Sequence, residues 1–118
     1  MIYEFKNVKC LEVIDGDTIK AQVNIGFYLT TIQKFRFYRI NSPESRTTDE
    51  EEKKKGLETK EFLKKLIEGK DIIITSHKED KYGRWLVEVY EIDEKGEKGR
   101  NINDWLVLNK LAIYKDYD

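Results

Sequence analysis

The chain is poor in the residues on which most small catalytic sites are built: among 118 residues there is one cysteine, one histidine and one proline. A lone Cys10 excludes an intrachain disulfide, and with only His77 to join it no ordinary zinc site can form. A single imidazole also excludes a two-histidine ribonuclease mechanism and argues against a Ser-His-Asp triad. Cys10 sits in an apolar stretch and reads as a small buried hydrophobe. His77 ends an apolar strand beside charged residues and reads as a surface or structural group. No apolar run of signal-peptide or membrane-spanning length is present, so the expectation is a cytoplasmic chain with no membrane partner. There is no excess of charge of one sign either: 22 basic and 23 acidic residues give a net charge of -1. That excludes a surface coated with positive charge, so a nucleic-acid site would have to be a local basic pocket. No repeat or linker divides the chain, and residues 1–118 are expected to form one domain.

What is present is a strand-rich pattern with two helices. Residues 3–14 alternate loosely, and Asp15-Gly16 is a hairpin signal. The chain returns through Ile19, Ala21, Val23 and Ile25 on one face, and Asn24 to Gly26 marks a second turn. Phe27 to Ile40, rich in Thr, Ile, Phe and Tyr, predicts a long third strand. Ser42-Pro43 breaks it into a loop. The run Glu50 to Lys55 orders its charges for i,i+4 pairing and reads as a solvated helix start or a loop. Leu57 to Glu68 is the clearest helix, with Phe62, Leu63, Leu66 and Ile67 as its apolar stripe and Gly69 as its stop. Two strands, Asp71 to Thr75 and Arg84 to Ile92, are followed by a charged loop from Asp93 to Gly99. A short helix capped by Asn101 or Asn103 runs through Lys110. The order β-β-β-α-β-β-α predicts a mainly β fold with α, a five-stranded Greek-key barrel of the OB type with two helices.

Four residues carry the chemical argument. Asp17 follows Asp15-Gly16; Arg36 sits within Phe35-Arg36-Phe37; Glu44 closes Asn41-Ser42-Pro43-Glu44; Arg84 closes Asp80-Lys81-Tyr82-Gly83-Arg84. Each motif alone has an ordinary reading: a turn, a strand ion pair, a loop carboxylate, a hairpin tip. Together they supply a carboxylate for a hard metal ion, a carboxylate as base and two guanidiniums for a phosphate. That set describes phosphodiester hydrolysis.

The three motifs, in this order, resemble the staphylococcal nuclease family over roughly Val8 to Tyr114: Val13-Ile14-Asp15-Gly16-Asp17-Thr18, then Phe35-Arg36 with Asn41-Ser42-Pro43-Glu44, then Asp80-Lys81-Tyr82-Gly83-Arg84. The resemblance implies an OB-fold and a calcium-dependent nuclease that hydrolyses DNA and RNA at the 5′ P–O bond. It implies Ca2+ held by Asp17, by the side chain at Asn41 and by the backbone carbonyl of Ser42, with Asp15 close to the ion through water. Glu44 would position or deprotonate the attacking water, and Arg36 and Arg84 would grip the scissile phosphate. Lys81 and Tyr82 would contact a flanking phosphate. Tyr38, Tyr82 and Tyr114 are candidates for stacking against unpaired bases.

The chain departs from the family pattern at Asn41, where the best-known members carry aspartate; one negative charge is gone from the calcium cage. It also reaches Asp118 near the point where the family's last helix would begin. The competing reading is a catalytically silent OB module that binds nucleic acid or protein. Glu44 separates the two, because a carboxylate beside a phosphate site serves an enzyme and hinders a binder. DNA and RNA, and single and double strands, stay open as substrates.

Overall fold

The computed structural model describes residues 2–116. Strands β1 (Tyr3–Asp15), β2 (Thr18–Gly26) and β3 (Leu29–Phe37) form an antiparallel meander. A short strand β4 (Ile40–Asn41) precedes helix α1 (Glu50–Ile67), which is followed by β5 (Asp71–Glu79), β6 (Trp85–Ile92) and β7 (Lys98–Asn101). Helix α2 (Ile102–Leu108) and strand β8 (Ile113–Tyr114) complete the described chain. The strand order is β3-β2-β1-β5-β6-β7, and a parallel pairing of β3 with β6 closes the first five into a barrel. β7 lies outside the ring on β6, and β4 pairs with β8 as a separate ribbon. This is the five-stranded OB-type barrel with two helices that the order of elements predicts.

The alternation in the sequence places Val8, Cys10, Ile19, Ala21, Phe35 and Phe37 in the barrel core. Leu63 and Ile67 of α1 cover one side, and Ile102 and Leu106 of α2 join the same core. Cys10 is fully buried, and burial pushes its thiol up to about 12, so it is an apolar filler as expected. Helix α1 begins at Glu50, so the charged run is its first turns; the Asp49 carboxylate caps it by accepting from the Glu51 and Glu52 amides. Among the described residues no helix is long and apolar enough to cross a membrane.

Several boundaries differ from the sequence expectation, each for a local reason. The β2–β3 turn is Phe27-Tyr28, not Asn24 to Gly26. Gly26 and Leu29 pair across it, and Phe27 and Tyr28 take φ values of 56° and 61°, the left-handed pair of a two-residue hairpin. Aromatic residues rarely adopt that conformation, so the sequence hides the turn. The third strand stops at Phe37 rather than running to Ile40, because Arg39 turns the chain at φ 68°. β5 continues beyond Thr75 to Glu79, its polar end pairing with β6. The Asp93 to Gly99 loop already contains the start of β7.

Helix α2 is held at both ends. The Asn101 side chain caps it through the Asp104 amide. At its other end the Lys110 N–H reaches the Val107 carbonyl and the Leu111 N–H reaches the Leu106 carbonyl. That is a Schellman closure with lysine in the left-handed position, at φ 61°. Asn103 is wholly buried. Its amide donates to the Tyr38 and Val87 carbonyls at 2.9 and 3.0 Å, and its carbonyl accepts from the Val89 N–H at 3.0 Å. Asn103→Ala would remove a buried partner from three backbone groups at once, of which the Val87 carbonyl keeps the Tyr38 N–H at 2.8 Å. The expected loss is about 2–4 kcal/mol in urea unfolding, with the slope of the transition unchanged.

Candidate active site

Two glycines bring the site's segments together. A β-carbon on Gly16 would lie 2.6 Å from the Thr59 methyl and 2.9 Å from the Ser42 side chain. One on Gly56 would lie 2.6 Å from the Ser45 nitrogen and the Glu44 carbonyl carbon. The β1–β2 turn therefore packs its backbone on the Thr59 and Ser42 side chains, and α1 packs backbone on backbone against the 41–45 loop, with Asp15, Asp17, Asn41, Ser42 and Glu44 on or beside the meeting segments.

Asp17 is buried at that junction. Its Oδ2 accepts the Ser42 N–H at 2.8 Å and pairs with Arg36 Nη1 at 2.8 Å; its Oδ1 accepts the Thr18 hydroxyl at 3.1 Å. Arg36, equally buried, also donates from Nη2 to the Asn41 side-chain oxygen at 2.9 Å. One guanidinium thus spans the two side-chain oxygens expected to bind calcium. Asp15 lies alongside, its Oδ1 accepting the Ser45 hydroxyl at 2.7 Å. Glu44 is solvent-exposed; its N–H donates to Glu52 at 3.4 Å.

Arg84 reaches the site from the β5–β6 hairpin. Asp80 holds it, with Arg84 Nε at 2.9 Å and Nη2 at 2.8 Å from Asp80 Oδ2. The other Asp80 oxygen accepts the Tyr82 and Arg84 amides, each at 2.9 Å. Partial burial pushes this carboxyl up, but the two amides and the guanidinium outweigh it and hold it below the ordinary aspartate value. Tyr82, 71% exposed, stands at the tip with Lys81 and Arg84 against its ring.

Arg36 and Arg84 line one cleft of about 510 Å3, with Lys78, Lys81, Tyr82 and Lys115 among its other walls. A second hollow of about 470 Å3 borders Asn41, Ser42 and Pro43. The Arg36–Asn41 hydrogen bond joins residues of the two. Tyr114 is not among the described residues lining the cleft: its hydroxyl donates to Asp104 at 3.0 Å and its ring lies near the Arg39 guanidinium. Tyr38 stacks on His77 at 4.7 Å between ring centroids, which gives His77 its structural partner. Sequence reasoning missed Asp80 as the group that aims Arg84. Its signal was the acid four positions before the arginine in a glycine turn. Lys78 and Lys115 carried no signal.

The donors suit a hard cation in kind, since Asp17, Asn41 and Asp15 offer only oxygen. Their charge is sparse: among the described residues no group of three or more acidic, histidine or cysteine side chains is placed to hold a metal ion. Asn41 supplies a neutral oxygen, and Arg36 neutralises Asp17.

A closed five-stranded barrel with two arginines in one cleft, one of them bonded to a buried aspartate and a half-buried asparagine, is the staphylococcal-nuclease type of OB-fold. The chain belongs to the staphylococcal nuclease homologue family, whose model matches residues 34–118. It is 28% identical over 111 residues to an uncharacterised endonuclease of Escherichia coli O157:H7, covering 93% of this chain and 62% of that protein. A like-named Escherichia coli protein matches to the same extent, so the chain spans 62% of the length of these curated relatives. An uncharacterised protein of Bacillus anthracis is 38% identical over 85 residues, covering 70% of this chain and 37% of that protein.

Asp17→Ala takes a carboxylate away from a buried guanidinium. The expected loss of stability is about 3–5 kcal/mol, read from the denaturation midpoint. In Asp17→Ala/Arg36→Leu part of that loss should return, since no buried charge is left without its partner.

Proposed function

We propose that the protein is a calcium-dependent nuclease that hydrolyses phosphodiester bonds of DNA or RNA. The observation that carries this reading is the shared cleft of Arg36 and Arg84, with Arg36 bonded to the oxygens of Asp17 and Asn41. A phosphodiester is anionic and repels an oxygen nucleophile. Two guanidiniums lower that repulsion, and more strongly as charge builds on the five-coordinate phosphorus. Asp80 holds Arg84 in place before substrate arrives, so little reorganisation remains at the moment of reaction.

Asp17, the Asn41 side chain and the Ser42 carbonyl would hold the calcium ion, with Asp15 close by through water. When bound, the ion supplies further positive charge to the phosphoryl oxygens. Glu44, exposed on its loop, takes a proton from water as the water oxygen bonds to phosphorus. The bond from phosphorus to the 5′ oxygen breaks and that oxygen takes a proton from solvent, leaving a 3′-phosphate and a 5′-hydroxyl. Lys81 and Tyr82 meet a flanking phosphate at the cleft's outer lip.

A gel assay of DNA and RNA with calcium, magnesium, manganese or excess chelator tests the reading. Cleavage with an ion and none in chelator is the expected result. Binding without cleavage in any ion would identify a silent nucleic-acid module instead. Glu44→Gln keeps the shape and removes proton affinity. Its kcat should fall by roughly 10²–10⁴-fold while calcium binding persists; undiminished turnover would exclude Glu44 as base.

Asn41→Asp restores a carboxylate beside Asp17. Calcium affinity should rise about tenfold if the added charge is worth ~1.4 kcal/mol. Titration calorimetry on both proteins measures it, and an unchanged affinity would mean that position 41 does not face the ion.

A further inference from the structure

Outside the arginine cleft, one pair of cations is set directly face to face on the sheet. Lys20 on β2 and Lys34 on β3 are direct cross-strand partners, and both are exposed. Like charges directly opposed on adjacent strands destabilise a sheet. Three other strand cations do have acids: Lys6 pairs with Glu97, Lys98 with Glu4, and Arg100 with Glu91. Glu12 stands across β1 from Lys20, yet among the described residues neither Lys20 nor Lys34 has an acid oxygen within 4.0 Å.

The barrel's register carries this pair toward the cleft. Phe35, next to Lys34, is the parallel partner of Trp85, next to Arg84. Lys20, Lys34 and Arg84 therefore lie in one row across three neighbouring chain segments. All three line a hollow of about 360 Å3 that also has Ile32, Gln33, Tyr82 and Gly83 in its walls. Tyr82 and Arg84 belong both to this hollow and to the cleft that holds Arg36. A strand leaving the cleft over the Tyr82-Gly83 tip would run onto the two lysines.

We propose that Lys20 and Lys34 form a subsite for a backbone phosphate of single-stranded nucleic acid, beyond the phosphate held by Arg36 and Arg84. The inference rests on the nuclease reading for the identity of the strand. Exposed Tyr82 between the two hollows offers a ring to an unstacked base, which a duplex cannot present without opening. The anion also removes the like-charge conflict on the sheet, so the site and its ligand are complementary in sign.

The test is direct titration of a fluorescent single-stranded DNA oligonucleotide, long enough to cross both hollows, across a series of salt concentrations. Wild type, Lys20→Gln/Lys34→Gln and Lys65→Gln are compared. Lys65 is an exposed lysine on α1 and controls for the loss of a lysine elsewhere on the surface. The double variant should bind several-fold more weakly and lose about 0.7 from the slope of log K against log salt, the share of the one phosphate the pair holds. Each phosphate neutralised on a single strand contributes about 0.7. Its melting temperature should stay level or rise, because the opposed charges are gone. An unchanged slope, or an equal loss in Lys65→Gln, overturns the subsite and leaves the nuclease reading standing. Lysine-dependent binding by a wild type that cleaves nothing sustains the subsite and overturns the nuclease reading.

Discussion

The buried pairing of Arg36 with Asp17 is the constraint on which the site depends. Taking two charges out of water is costly, and their attraction offsets that cost only when the remaining hydrogen-bonding capacity is satisfied. Here it is: Ser42, Thr18 and Asn41 complete the shell. Among the described residues no buried side-chain polar atom lacks a partner. Satisfying one carboxylate and one guanidinium in this way fixes three segments that are distant in sequence: the start of β2, the end of β3 and the loop after β4. Gly16 and Gly56 permit the close approach; the ion pair sets where it stops.

A second ionic group performs the corresponding work on the other side of the β3 seam. Arg39 donates to both oxygens of buried Glu88 at 2.6 and 2.8 Å and to Asp104 at 2.9 Å. Its own carbonyl accepts the Lys115 N–H at 2.8 Å. The left-handed turn at Arg39 is thus held by charge, and the same residue anchors the stretch that carries Lys115 to the cleft wall. Tyr114 joins this group through Asp104, which is why its ring is committed to the scaffold.

Much of the fold was legible because its cues are local. The Asp15-Gly16 turn, the stripe of α1, Gly69 after it and the Asn101 cap each act within a few residues. The Phe27-Tyr28 turn was illegible because its residues contradict the preference of its backbone. β7 was illegible because two of its four residues pair only after Asp93 has shaped the preceding turn. For the site, residue types and order pointed to Asp17, Arg36, Glu44 and Arg84, and the family resemblance added Asn41 and Ser42; the structure places Arg36 and Arg84 on one cleft, Asn41 and Ser42 on a second hollow, Asp17 buried against Arg36, and Glu44 exposed outside both linings. That Arg36 would bridge Asp17 to Asn41, or that Asp80 would hold Arg84, depends on how the barrel closes, and no short window contains that information.

The seam between β3 and β6 has a consequence in time. It joins Phe35, Arg36 and Phe37 to Trp85, Leu86 and Val87, with all of α1 and β5 in between. Closing so long a segment costs chain entropy before any contact is gained, whereas the β1–β2, β2–β3 and β5–β6 hairpins close over short turns. The cleft needs Arg36 from one side of the seam and Arg84 from the other. It therefore exists only after this long-range joint is made, and it dissolves whenever that joint opens, even while the hairpins persist. A ligand that touches both arginines acts as a latch across the seam and slows its opening.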